Sequence, residues 1–265
     1  MKVACAGLGL IGGSFLKAAL AAGHEAAGFH HGDAADFSDF DIVLVSMPPK
    51  AIEPWIRANA PTFKPGALVV DVCGVKRELY DAFRLECMNT EWHYIGGHPM
   101  AGKEKGGFAN ADANLFQGAS MILTPYPYYG RGPLDALEKF FKSLGFGRVV
   151  FTTPDHHDEM IAFTSQLCHI ISSAYVREPL AQDHLGYSAG SFRDMVRVGA
   201  PDPEVWTELF LLNRDRLGEV LARYIARLTD FQAAIASNDP VRLKAALDEG
   251  LPAKAGILKG APNLR

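Results

Sequence analysis

The segment that decides the fold reads VACAGLGLIGGS and spans residues 3–14. An apolar run leads into a glycine motif, and a helical stretch follows. The motif consists of Gly7, Leu8, Gly9, Leu10, Ile11 and Gly12. This order is typical of a dinucleotide-binding turn, in which Gly7 allows the tight turn, Gly9 lets the backbone approach a pyrophosphate, and Gly12 lets helix and strand pack closely. The N–H groups at the helix start would bind the phosphates.

The first half of the chain alternates short β-branched runs with amphipathic stretches. Strands are predicted at residues 3–6, 26–29, 42–46, 67–71, 94–96, 120–123 and 148–151. Helices are predicted at residues 14–22, 51–60 and 133–144. This alternation predicts an α/β fold, a doubly wound parallel sheet of the Rossmann type with helices on both faces. The link between residues 28 and 41 is short, so we expect the second crossover helix to be missing or reduced.

The second half of the chain has a different pattern. Pro154 and Asp155 open a long helical stretch, and strand-like runs disappear after Thr153. We therefore predict a dinucleotide-binding domain at residues 1–153 and an all-α domain for substrate binding and dimerisation at residues 154–265. Residues 205–236 are predicted to form one long helix, whose apolar face would pack inside a bundle or at a dimer interface.

Composition limits the classes of function. The chain has 265 residues, of which 48% are hydrophobic and 21% charged, values typical of a globular enzyme. A net charge of -4 without a basic stripe argues against nucleic acid and anionic lipid as partners, so we expect a small-molecule ligand. Without a leader pattern or a membrane-length apolar run, the expected location is cytoplasmic. Four scattered cysteines are expected to be reduced thiols: Cys5, Cys73, Cys87 and Cys168.

The choice between NAD and NADP depends on the end of the second predicted strand. The position that usually holds a ribose-binding carboxylate is occupied by His30, and an imidazole neither binds the ribose hydroxyls nor repels a phosphate decisively. Asp33 is an alternative ribose ligand, and no arginine lies nearby to bind a 2′-phosphate. The sequence slightly favours NAD and leaves NADP open. Ser46, at the end of the third predicted strand, is a further expected cofactor contact.

A second motif, GGHPMAGKE at residues 96–104, follows another predicted strand. Open α/β sheets bind their ligands beyond the carboxyl ends of the strands. Histidine titrates near neutrality, so a neutral His98 at this edge would accept a hydroxyl proton while hydride leaves the same carbon. We therefore interpret His98 as a candidate catalytic base.

Four strings in order along nearly the whole chain carry a family resemblance. They are GLGLIGGS at 7–14, GGHPMAGKE at 96–104, FRDMVR at 192–197 and DPEVW at 202–206. Together they resemble the prephenate and arogenate dehydrogenase family, with the Gly-His-Pro-x-Ala-Gly string as the specific part. The resemblance implies oxidative decarboxylation of prephenate to 4-hydroxyphenylpyruvate with hydride transfer to NAD(P)+, in tyrosine biosynthesis. It further implies a homodimer built by the helical domain, an active site between the domains, and no metal.

The resemblance also assigns roles to individual residues. His98 matches the family's proton acceptor for the ring hydroxyl, and Glu104 matches an acidic residue beside that site. Arg197 matches the arginine that binds a substrate carboxylate, in keeping with the bidentate geometry of guanidinium. The remaining matches are a second substrate-facing histidine and two residues that shape the pocket, namely His169, Asp194 and Trp206.

Two positions depart from the family pattern. Gly74 stands where many relatives have a serine that assists the base, so a partner hydroxyl would have to come from elsewhere or from water. Gln166 stands where histidine is frequent, which bears on the choice between prephenate and arogenate. His156 and His157 are not interpreted as metal ligands, because adjacent side chains at the start of a helix point apart.

Three alternatives stay open at this level. An arogenate dehydrogenase would make tyrosine directly. A β-hydroxyacid dehydrogenase would use a lysine early in the second domain, and residues 160–175 contain none. A non-catalytic NAD(P)-binding sensor is conceivable because of Gly74.

Overall fold

The computed structural model describes residues 1–30, 32–33, 35–103 and 105–260. Within them the strands are β1 Lys2–Ala6, β2 Glu25–Phe29, β3 Ile42–Val45, β4 Leu68–Asp71, β5 His93–Pro99, β6 Ser120–Thr124 and β7 Arg148–Phe151. The helices are α1 Leu10–Ala21, α2 Pro49–Asn59, α3 Arg77–Phe83, α4 Arg131–Ser143, α5 Pro154–Ile161, α6 Leu167–Tyr175, α7 Gly190–Val196, α8 Pro203–Leu212, α9 Arg214–Ala236 and α10 Pro240–Gly260. A π-helical turn, Ala162–Gln166, joins α5 to α6.

The seven strands form one sheet in the order β2-β1-β3-β4-β5-β6-β7. All seven predicted strands are present, and the predicted Rossmann-type fold is confirmed. One difference is that β6 runs antiparallel to β5, while every other neighbouring pair is parallel. Where described, the connection from β5 to β6 holds only the short 3-10 turn Phe108–Asn110. Without a crossover helix, the chain re-enters the sheet at the end where β5 leaves it, so β6 runs in the opposite direction to β5.

Helices cover both faces of the sheet, because successive side chains of the buried strands point to opposite faces. In β1, Val3 and Cys5 belong to one apolar cluster, with Phe15 of α1 and Phe141 of α4. Ala4 belongs to the other cluster, which includes side chains of α2 and α3. Between Phe29 and Ile42 the described residues contain no helix, in agreement with the missing crossover helix.

The loop between β5 and β6 packs against the first turns of α1. Lys17 Nζ donates a hydrogen bond to the carbonyl of Ala111 at 2.7 Å. The Ser14 hydroxyl accepts one from the backbone N–H of Asp112 at 2.9 Å. The loop that follows His98 therefore lies beside the helix that follows the glycine motif.

The predicted single helix at residues 205–236 is wrong, because α8 ends at Leu212 and α9 begins at Arg214. The buried Asn213 lies at the break. Its amide donates to the carbonyl of Asp158 and to Oε1 of Gln166, both at 2.8 Å. These two bonds stabilise the side chain in the interior, whereas the apolar periodicity around it gave no sign of a break.

The chain divides into two compact units. The first, Met1–Leu217, contains the sheet and the helices up to the start of α9. The second begins at Gly218 and contains the rest of α9 and α10, linked by an ion pair in which Arg242 Nε donates to Asp230 at 3.0 Å. Across the described residues, none of the helices is both long enough and apolar enough for a membrane span.

Candidate active site

The glycine turn lies at the point where the strand order reverses, since β1 has both β2 and β3 as neighbours. Gly7 has a φ of +90°, a backbone conformation that favours glycine. A Cβ at Gly7 would lie 2.0 Å from the carbonyl oxygen of Ser46, and a Cβ at Gly12 would lie 1.9 Å from that of Gly7. The turn, the start of α1 and the end of β3 are thus packed as closely as backbones allow.

The space above the turn fits a dinucleotide phosphate. A Cβ at Gly9 would meet no atom within 4 Å. Gly9 is the N-cap of α1 and provides no side-chain cap. The first N–H groups of the helix, with the positive end of the helix dipole, are therefore available to an anion. The side chains of Leu8 and Ile11 pack against the apolar core, and Leu10 is buried. The turn at residues 7–12, here called the glycine cradle, therefore offers backbone atoms rather than these side chains to a phosphate.

The predicted ribose-binding residues lie at the end of β2, beside the glycine turn. The N–H of Gly7 donates to the carbonyl of Phe29 at 2.8 Å, which places the two strand ends together. His30 is exposed, and its backbone N–H donates to the carboxylate of Asp33 at 2.7 Å. The hydrogen bond holds the Asp33 carboxylate at the end of this strand.

His98 lies on β5 at the same edge of the sheet as the glycine turn. It lines a cavity of about 310 Å³ together with residues of the helices that follow β7, among them Ser165, His169 and Trp206. Burial lowers the pKa of His98 well below 6.5, and the nearby His157 and Lys76 lower it further. The imidazole is therefore neutral at physiological pH and able to accept a proton.

A chain of hydrogen bonds runs from His98 into the protein. His98 Nδ1 lies 2.9 Å from Nε2 of His157, and His157 Nδ1 lies 2.7 Å from Oδ1 of Asp158. His157 and Asp158 are almost completely buried. Asp158 also accepts from the backbone N–H groups of Lys76 and Arg77, at 2.8 and 3.0 Å. Through these two residues α5 is tied both to β5 and to the start of α3.

A buried ion pair lies beneath this chain. The Lys76 ammonium pairs with Asp71, and the two side chains are 1% and 0% exposed. Lys76 Nζ also donates to the carbonyl of Gly97 at 2.7 Å, and the hydroxyl of Tyr94 donates to Asp71 at 2.7 Å. Lys76 therefore holds the backbone next to His98.

His169 and Trp206 form the far wall of the cavity. Their ring centroids are 3.7 Å apart. His169 Nδ1 lies 3.1 Å from the carbonyl oxygen of Val198, and since a carbonyl only accepts, this nitrogen carries the proton. Burial lowers the pKa of His169, and the charge of Arg197 lowers it as well. His169 is therefore neutral, with Nε2 as a hydrogen-bond acceptor.

Not every predicted site residue lies at the cavity. Arg197 is exposed just after α7, close enough to His169 to affect its pKa. Asp194 is exposed on α7 and is not among the described residues that line the cavity. Glu104 lies outside the described residues. The roles of these three residues stay predictions.

The two departures from the family pattern have different consequences. A Cβ at Gly74 would lie 3.9 Å from His98 Nε2 and 3.4 Å from the side chain of Leu209, both ordinary contacts. The space next to Nε2 therefore stays open in this chain. The Gln166 amide is held in place, because Nε2 donates to the carbonyl of Leu209 at 3.0 Å and Oε1 accepts from Asn213. Gln166 lines the cavity, and one N–H and one lone pair of its amide are not used by these two bonds.

Sequence reasoning missed His157, Asp158 and Lys76. As expected for neighbours on a helix, His156 is exposed while His157 is buried. In the sequence the adjacent histidines raise only the question of a metal site, and within the described ranges no three metal-binding side chains converge. The sequence does place an aspartate next to His157 and a lysine five residues after Asp71, but neither spacing shows which residues these two side chains contact.

Comparison with known proteins agrees with the motifs. The family model described as prephenate dehydrogenase, nucleotide-binding domain, matches residues 12–151, and the one described as prephenate dehydrogenase, dimerization domain, matches residues 153–249. Cyclohexadienyl dehydrogenase of Zymomonas mobilis is 33% identical over 210 residues, which are 75% of this chain and 69% of that protein. Prephenate dehydrogenase of Bacillus subtilis is 28% identical over 70% of this chain and 52% of its own length.

Among solved structures, Synechocystis arogenate dehydrogenase is 26% identical and superposes with a TM-score of 0.81, covering 97% of this chain and 100% of that one. The family models together match almost the whole chain, and the nucleotide-binding model includes the strand that carries His98. The chain belongs to the prephenate dehydrogenase family, whose nucleotide-binding domain provides the NAD(P) site and whose second domain is a dimerisation domain.

Proposed function

We propose that this chain catalyses the oxidative decarboxylation of prephenate to 4-hydroxyphenylpyruvate, with NAD rather than NADP as the hydride acceptor. One observation carries the proposal: His98, whose pKa is lowered by burial, lines a cavity at the sheet edge that also carries the glycine cradle. Residues 7–12 and Ser46 would hold the cofactor. Residues 1–153 would serve the cofactor, and residues 154–265 the substrate and a homodimer interface, in a cytoplasmic enzyme.

The reaction needs little from the protein beyond orientation and one proton acceptor. The cofactor would supply a hydride acceptor for the ring carbon that bears the hydroxyl group. His98 takes the hydroxyl proton as the carbon–oxygen bond becomes a carbonyl. Carbon dioxide then leaves, and the electron pair of the broken bond makes the ring aromatic. His98 returns its proton to the phenolate oxygen, so the base is regenerated in each turnover.

The preference for NAD rests on the end of β2. The carboxylate of Asp33 is fixed there by the His30 N–H at 2.7 Å, and it would accept from ribose hydroxyls and repel a 2′-phosphate. Residues 28–41 contain no arginine to bind such a phosphate. Asp33 rather than His30 would then be the side chain that selects the cofactor.

One observation favours arogenate as an alternative substrate. His169 is neutral and presents an acceptor at Nε2, because its Nδ1 proton is bound to the carbonyl of Val198. Arogenate carries an ammonium group where prephenate carries a ketone, and an ammonium only donates. A side chain that points to His169 would therefore suit arogenate.

The test is a two-by-two assay of prephenate and arogenate against NAD and NADP, followed by the absorbance of the reduced nicotinamide. We expect the highest kcat/KM for prephenate with NAD. A preference for arogenate would support the alternative substrate. No substrate-dependent reduction of either cofactor would refute turnover and favour the non-catalytic sensor.

The substitution Gly9→Ala tests the cofactor cradle without disturbing the fold. The added methyl group meets no protein atom within 4 Å but occupies the cradle. We expect the KM for the cofactor to rise roughly tenfold or more, since hydrogen bonds to a charged phosphate are lost. The free energy of unfolding should change by less than about 1 kcal/mol.

The matched variant is Gly12→Ala, whose methyl group would lie 1.9 Å from the carbonyl oxygen of Gly7. We expect this variant to lose about 1–3 kcal/mol of unfolding free energy through overpacking. Urea unfolding and cofactor titration measure both effects. Wild-type cofactor affinity in Gly9→Ala would contradict the proposed cradle.

The substitution Arg197→Ala tests carboxylate binding. Loss of a charge-assisted hydrogen bond is expected to raise the KM for prephenate roughly 10- to 100-fold while kcat changes less. Arg131→Ala, at the exposed start of α4, is the control and should leave both constants unchanged. An unchanged KM in Arg197→Ala would remove this residue from substrate binding.

A further inference from the structure

We propose that His157 and Asp158 are positioning residues that fix the imidazole of His98 in one tautomer, with the proton on Nδ1 and a free electron pair on Nε2. The proposal rests on the proposed function for its catalytic consequence. Its structural part rests on the hydrogen bonds among the three side chains and on the burial that keeps His157 neutral. Asp158 sets the direction in which His157 donates its hydrogen bond, and His157 in turn sets the direction of the hydrogen bond with His98.

Asp158 acts only as a hydrogen-bond acceptor. Its Oδ1 accepts from the backbone N–H of Lys76 at 2.8 Å, and its Oδ2 accepts from that of Arg77 at 3.0 Å. Backbone N–H groups can only donate, so both carboxylate oxygens are acceptors. The group 2.7 Å from Oδ1, Nδ1 of His157, must therefore donate its proton.

His157 in turn fixes the protonation of the His98 ring. Burial lowers the pKa of His157, so its ring is neutral and has one proton, which Asp158 holds on Nδ1. Nε2 of His157 is then an acceptor, and the atom 2.9 Å away, Nδ1 of His98, must be protonated. The opposite tautomer of His98 would bring two electron pairs together at 2.9 Å in the protein interior, where no water can separate them.

The free electron pair of His98 lies at the cavity. A neutral His98 with its proton on Nδ1 has an unprotonated Nε2. That atom would lie 3.9 Å from a Cβ at Gly74, and both residues line the cavity. In the other tautomer Nε2 would present a proton to the substrate hydroxyl and could not act as a base. Lys76 and Asp71, whose charges also act on His157, are paired with each other.

Two substitutions separate positioning from simple packing. His157→Gln can place an amide oxygen where Nε2 lies, and so retains an acceptor for His98. His157→Leu removes every polar atom while keeping a buried side chain of similar size. We expect kcat to fall on the order of 100-fold or more in His157→Leu and much less in His157→Gln, with the KM values and the cofactor Kd little changed. His156→Leu, at the exposed neighbouring position, is the control and should leave kcat unchanged.

A second readout does not require turnover. In protein with ¹⁵N-labelled histidine, NMR chemical shifts distinguish protonated from unprotonated ring nitrogens. We expect wild type and His157→Gln to carry the His98 proton on Nδ1, and His157→Leu to show a mixture of tautomers. A proton on Nε2 in the wild type, or full activity of His157→Leu, would overturn the proposal. An inactive wild type with the expected tautomer would refute the proposed function alone.

Discussion

His98→Asn is expected to lower kcat on the order of 10²- to 10⁴-fold, the range that a positioned general base contributes. Asparagine fits the same position on β5 but has no group that accepts a proton at neutral pH. The cofactor cradle, built from the turn at residues 7–12, is not touched, so the Kd for NAD should stay at the wild-type value. Steady-state kinetics and cofactor titration provide the two numbers. A variant as active as wild type would remove His98 from the mechanism.

The pH dependence of kcat/KM provides a second check on His98. Only the neutral imidazole accepts the proton, and the neutral form dominates above the pKa. Because burial, and then His157 and Lys76, lower this pKa well below 6.5, kcat/KM should stay level as the pH falls to 6.5 and decline only below it. A decline that begins above pH 6.5 would contradict the desolvated environment of the base.

Lys76→Met is expected to lower the free energy of unfolding by about 3–5 kcal/mol, the cost of breaking a buried ion pair from one side. Methionine fills the space of the lysine stem, but the Asp71 carboxylate, 0% exposed, would be left without its counter-charge. The variant would also lose the hydrogen bond to the carbonyl of Gly97. Urea unfolding at neutral pH measures the change.

Two further variants serve as controls for this prediction. Adding Asp71→Asn to Lys76→Met removes the uncompensated charge, so the double variant should be more stable than the single one. Lys142→Met breaks an exposed ion pair with Glu138 on α4 and should cost less than about 1 kcal/mol. Asp71→Asn alone completes the comparison: if the double variant loses the sum of the losses measured for Lys76→Met and Asp71→Asn, the two residues are not coupled and the interpretation fails.

Lys76 also connects stability to the site. Its ammonium holds the carbonyl of Gly97, next to His98, and its backbone N–H holds Asp158. In the sequence, residues 71–76 stand out only because Gly74 departs from the family pattern. The burial of Lys76 depends on Asp71, Gly97 and Asp158, which lie on three different segments, and no local pattern reports such a meeting.

The sequence by itself determined the strands, the glycine turn and the position of His98 at the edge of the sheet. These features depend on residues that are near neighbours in the sequence. The apolar runs have the length of strands, and a helix begins directly after the glycine turn. Glycines stand where an added Cβ would lie about 2 Å from another backbone atom. The family strings at residues 7–14 and 96–104 are equally local.

Only the tertiary structure decided what His98 contacts. His157 is 59 residues away in the sequence, and its ring reaches His98 because α5 packs beside β6, the neighbour of β5, and beside α3. The break at Asn213 has the same origin, since its amide is stabilised by Asp158 and Gln166 rather than by its own helix. Hydrogen bonds between distant segments depend on how helices dock onto the sheet, and apolar periodicity specifies which face is buried but not which polar atoms meet there.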